Sequence, residues 1–150
     1  MRPNWLVTAP CLALMFFTAR AAADEKPTHD SVVKDYVTTI KALTKSVRDI
    51  KDASTMDKTK AEFEKAKDHF EALNDRLIDL GKPPADQKEK WNKNIKDADA
   101  SLESAWTAMR ERLKKKEINV TADDASSLGY ARGKLELPRR KIGIRFENNP

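Results

Sequence analysis

Three runs of apolar residues spaced by alternating steps of three and four most constrain the fold. They are Val33, Tyr36, Val37, Ile40, Leu43, Val47 and Ile50; then Phe63, Ala66, Phe70, Leu73, Leu77 and Leu80; then Trp91, Ile95, Ala98, Leu102, Ala105, Met109 and Leu113. Such spacing puts one narrow apolar stripe on each of three helices. It predicts helices over 29–52, 55–80 and 84–114, each about 38–45 Å long at 1.5 Å per residue. Thr28 or Asp30 can cap the first, and Ser54 the second, with Asp57 three residues on as a short capping box. Gly81 ends the second helix, with Pro83 and Pro84 beyond it, and Pro84 suits a first helical turn because its missing N–H is unpaired there in any case.

The joints at Ala53-Ser54 and Gly81-Lys82-Pro83 are short, which predicts antiparallel neighbours. The expected fold is therefore all-α: an antiparallel three-helix, coiled-coil-like bundle over 24–116, left-handed because its period is close to 3.5. One continuous helix through 28–80 is the alternative, since Asp52-Ala53-Ser54-Thr55 breaks a helix only mildly. Alanines thin the stripes at Ala66, Ala98 and Ala105, so the core is expected to be slender, with modest stability or help from self-association. Such a core leaves no room for a deep, polar-lined pocket.

The two flanks differ from this body. Arg2 precedes an uncharged run, Leu6–Ala19, after which Ala19-Arg20-Ala21 and Ala21-Ala22-Ala23 offer small-x-small cleavage sites. This is the order of a secretory leader, expected over 1–23. The run is shorter than the roughly 20 residues a membrane span needs and contains Pro10. Cys11, the only cysteine, lies within it, preceded by proline rather than the small residue of a lipoprotein signal. Cleavage would leave a cysteine-free chain that packs without disulfides. At the other flank, 117–150 holds three of the four glycines, two prolines and no long period. Ile118-Asn119-Val120 and Ile142–Phe146 alternate as short strands do, and the segment is expected to be an irregular, partly disordered tail. Charge divides at the same place. Residues 24–113 carry 18 Lys and Arg against 19 Asp and Glu, net −1, whereas 114–150 carry 9 against 5, net +4.

No chemistry-bearing motif stands out. His29 and His69 are the only histidines. With no Cys-x-x-Cys-His, neither these nor Met56 and Met109 make a haem site, and they do not make a zinc or copper site. The pairs Asp97/Asp99 and Asp123/Asp124 lack a calcium loop around them. No serine, threonine or lysine has a recognisable base partner, and Gly129, Gly133 and Gly143 lack phosphate-loop spacing. The expectation is a non-enzyme without cofactor or metal. Trp91 belongs to the third stripe; Trp106 lies at its edge, half exposed. Asn119-Val120-Thr121 matches a glycosylation sequon, relevant only in a eukaryotic secretory pathway. The most suggestive cluster is Arg139, Arg140, Lys141 and Arg145 beside Phe146: cations next to apolar side chains suit lipid headgroups, envelope polysaccharide or an acidic protein. Export argues against nucleic acid.

From Ile50-Lys51-Asp52-Ala53-Ser54 through Leu77-Ile78-Asp79-Leu80-Gly81-Lys82-Pro83, followed by a Lys-rich amphipathic helix, the chain resembles small exported bacterial helical proteins of uncharacterised function. The resemblance covers 30–113 and implies no activity. It departs from periplasmic helical chaperones with a Leu-Thr-x-x-Gln motif, absent here. It departs equally from haem-binding helical cytochromes, which need a histidine in the last helix; 84–113 has none. The functional expectation is an exported, non-enzymatic binding or structural protein of the cell envelope, whose basic tail contacts an anionic surface or partner. A periplasmic chaperone or stress-protective protein working through apolar helix faces is the alternative.

Overall fold

A computed structural model describes residues 26–147. The leader expected over 1–23 lies outside the described residues. Four helices are present among them: α1 (His29–Arg48), α2 (Ala53–Leu80), α3 (Ala85–Lys114) and α4 (Ala122–Phe146). The all-helical class stands, but the expected three helices are four, because the supposed tail supplies α4. It starts at a full capping box: Thr121 Oγ1 accepts from the Asp124 N–H, and the Asp124 carboxylate accepts from the Thr121 N–H. It then buries Leu128, Ala131, Leu135, Pro138, Ile142 and Phe146. Strand-like alternation at 142–146 is an i, i+4 pair seen through glycine: Ile142 and Phe146 point inward while Ile144 stays half exposed. Ile118-Asn119-Val120 makes no strand; one isolated bridge joins Asn119 to Asp52.

Other boundaries move for local reasons. Helix α1 starts at a Thr28/Ser31 capping box and stops at Arg48, four residues short of the expected end. Asp52, not Ser54, caps α2, because its carboxylate reaches the Thr55 N–H at 2.8 Å. Thr55 answers by accepting from the Asp52 N–H. The break between Asp49 and Asp52 rules out the single helix through 28–80. Leaving α3, Lys116 adopts φ 57°, with Lys116 N–H to Leu113 C=O and Glu117 N–H to Arg112 C=O, both at 3.0 Å. That pair of bonds is a Schellman stop with lysine where glycine is usual.

Helix α1 packs beside α2 and α3, and α4 beside α2 and α3. The pairs α1/α4 and α2/α3 lie across the bundle, so α2 and α3 are antiparallel but not the neighbours their short joint suggested. Residues 81–84 can reach about 14 Å when extended, enough to cross the diagonal of helices spaced 8–10 Å apart. Two parallel pairs result, α1 with α3 and α2 with α4. The fourth helix also thickens the core: 26 apolar residues are buried in one cluster running the length of the bundle. At one end α1, α3 and α4 meet. His29 stacks on Trp91 at 5.8 Å, Trp91 meets Phe146 edge-on at 5.8 Å, and the Trp91 indole N–H donates to Asp30.

Candidate functional site

Polar side chains between α1, α3 and α4 set how α4 is turned. Arg139 is only 13% exposed and reaches Glu103 at 3.2 Å, Glu136 at 3.4 Å and Asp99 at 3.7 Å. Arg132 reaches Glu103 at 2.6 Å and lies 4.6 Å over the Trp106 ring. The Tyr36 hydroxyl donates to Asp99 at 2.6 Å. Burial, with the Asp99 charge, pushes the Tyr36 phenol far above its usual range. Burial also raises the Asp99 carboxyl, opposed by the Tyr36 hydrogen bond and the Arg139 charge. On its α2 side, α4 is held by Asn74, whose Nδ2 donates to Pro138 C=O at 2.8 Å. Asn74 Oδ1 is buried without a partner.

With those residues facing inward, the opposite side of α4 must face solvent. Tyr130, Leu137 and Ile144 stand there at seven-residue intervals, drifting only about 20° per step. They are 69%, 64% and 49% exposed, and Ile78 of neighbouring α2 is 58% exposed. These four are the large apolar side chains most open to solvent among the described residues, and all lie on α2 and α4. Lys134, Arg140, Lys141 and Arg145 share this side, exposed, and make no salt bridge with any described carboxylate, although Lys134 Nζ lies 4.6 Å over the Tyr130 ring. Helices α1 and α3 each carry one apolar stripe and a polar back, α2 adds exposed Ile78 to its stripe, and α4 has apolar residues on both sides.

Of the expected contact residues, Arg140, Lys141 and Arg145 lie on this face. Arg139 turns inward, because one residue along a helix is a rotation of about 100°. Sequence reasoning missed Tyr130, Lys134, Leu137 and Ile144. Their seven-residue spacing was there to be found, but glycines and Pro138 hid the helix that gives it meaning. Trp106, expected half exposed, is buried beneath Arg132. His29 lies against Gly81 C=O and Trp91, and His69 is half buried on α2, its imidazole pKa lowered by burial. No three His, Cys, Asp or Glu side chains among the described residues converge as metal ligands would. No described helix is long and apolar enough to cross a membrane.

No protein-family model, curated protein or solved structure matches this chain. Fold and face together define its class: an all-helical bundle whose last helix presents a cationic, apolar side to solvent.

Proposed function

We propose that this is an exported, non-enzymatic binding or structural protein of the cell envelope, acting through the solvent face of α4 on an anionic surface. The observation that carries the reading is the alternation on that face of exposed Tyr130, Leu137 and Ile144 with Lys134, Arg140, Lys141 and Arg145. Helices that lie in a membrane interface combine these features, apolar side chains entering the headgroup boundary while flanking cations meet anionic lipids. Basic residues near such a surface contribute about 1 kcal/mol each, an attraction that salt screens. Export rests on the leader read at 1–23. The resemblance of 30–113 to small exported bacterial helical proteins implies no activity and is compatible with export.

The test is co-sedimentation of the full chain with anionic and zwitterionic vesicles, and with envelope fragments, at low and high salt. Binding to anionic material that salt releases, and that a K134E/R140E/K141E/R145E variant loses, supports the reading. Equal binding by the variant refutes it. Truncating the chain before α4 is no substitute, because α4 supplies part of the core. The chaperone alternative draws on the same exposed apolar residues, and salt-independent suppression of client aggregation by the charge-reversed variant would favour it.

A further inference from the structure

A second surface lies on the α3 side of α4. There α3 and α4 are the least closely packed neighbouring pair, and a trough of about 520 Å³ opens between them. Trp106, Met109 and Leu113 of α3 form one wall, and Leu128, Gly129 and Gly133 of α4 the other. Most of the lining is apolar, with the charged side chains of Arg110, Arg132 and Glu136 at its edges.

Mid-helix glycine costs helix stability, and it is usually explained by close packing. Here a Cβ at Gly129 or Gly133 would meet no atom within 4 Å. Internal packing therefore does not require them; what they do is keep the trough wide. Its rim carries one cation free of salt bridges to described carboxylates, the exposed Arg110; the other, Arg132, is paired with Glu103 and with Glu136, which lies on the same rim.

We infer that this trough binds a single aliphatic chain with an anionic head, free in solution, such as a fatty acid. The chain would lie along Gly129 and Gly133 against Met109 and Leu113, beside the Trp106 ring that Arg132 covers, and the head would meet Arg110. The inference does not depend on the solvent face of α4 binding anything, because it uses different residues and a different side of the helix.

Trp106 makes the site directly readable. Brominated stearate, below its micelle concentration, is titrated into the full chain while tryptophan fluorescence is followed. The expected result is quenching that saturates at one molecule per chain and is lost in W106F, which keeps Trp5 and, at the far end of the bundle, Trp91. G129L/G133L should fill the trough and abolish quenching, with its thermal transition showing that it folds. Should that pair not fold, G129A/G133A, whose added atoms meet nothing, should weaken binding instead. R110E should weaken stearate at least about tenfold, close to 1.4 kcal/mol, and remove the preference over a cationic amphiphile of equal chain length. The inference is overturned by absence of quenching, by quenching undiminished in a folded trough variant, or by stearyl alcohol binding as tightly as stearate. Quenching seen only with brominated phospholipid in vesicles would also overturn it, by assigning the trough to bilayer lipid. Vesicle pelleting by the K134E/R140E/K141E/R145E variant reports separately on the α4 face.

Discussion

Arg139 and Arg140 are adjacent in sequence and opposite in surroundings. Arg139 is nearly buried among Asp99, Glu103 and Glu136. Removing it strands carboxylates that water reaches only partly, so Arg139→Ala is expected to cost about 2–3 kcal/mol, below the loss for a fully buried pair. Arg140 is exposed and forms no salt bridge with any described residue, so Arg140→Ala should change stability by less than about 0.5 kcal/mol. Urea unfolding of both variants checks the contrast, and similar losses would mean that the inward turn of Arg139 is wrong. His69 gives a pH dependence. Burial lowers its pKa below the ordinary 6.5, so the unfolded chain takes up the proton more readily than the folded one. The stability this contributes is complete above pH 6.5 and is lost as pH falls through the lowered folded value. Wild-type melting temperature should therefore drop more steeply below pH 6.5 than that of His69→Gln; parallel profiles would show that His69 is not the titrating group.

Among the elements, α4 shows why part of the architecture was hidden in the sequence. The first three stripes announce α1, α2 and α3 because nothing interrupts their period. In α4 the inward residues keep that period, but Pro138 is one of them and Gly129, Gly133 and Gly143 lie between them, residue types that disfavour a helix interior. Packing overrides the local preference: six side chains are buried, and Asn74 ties Pro138 to α2. The same interruptions concealed the candidate face, since Tyr130, Leu137 and Ile144 read as a face only once 122–146 is known to be helical. Pairing across the diagonal was not legible either, because loop length limits distance without choosing between neighbours. Two substitutions probe helix-level strain. Gly129→Ala with Gly133→Ala adds atoms that meet nothing, so the pair should stabilise the fold by about 1–2 kcal/mol in thermal or urea melts. Lys116 holds φ 57° at the Schellman stop, where a side chain costs about 1–2 kcal/mol. Lys116→Gly should regain about 1 kcal/mol by the same measurement, and a loss would place the turn in another conformation.

For the whole molecule, charge takes on a spatial meaning that the sequence only partly gave. Within the basic 114–150 segment, α4 is clamped between α2 and α3 and divides its cations between an internal network and solvent. Arg132 and Arg139 fix the rotation of α4, and that rotation presents the other cations together with Tyr130, Leu137 and Ile144. An anionic surface would therefore meet a rigid line of side chains about 21 Å long, from residue 130 to 144 at 1.5 Å per residue, with little ordering cost on docking. Placing an environment-sensitive fluorophore at Leu137→Cys, and separately at Lys96→Cys on the exposed side of α3, each with Cys11→Ser so that one thiol is present, measures this most directly. Both proteins are titrated with anionic vesicles. A blue shift and reduced iodide quenching are expected at 137, both reversed by salt, with an unchanged spectrum at 96. Vesicle binding with no change at 137, or with the change at 96, would contradict it.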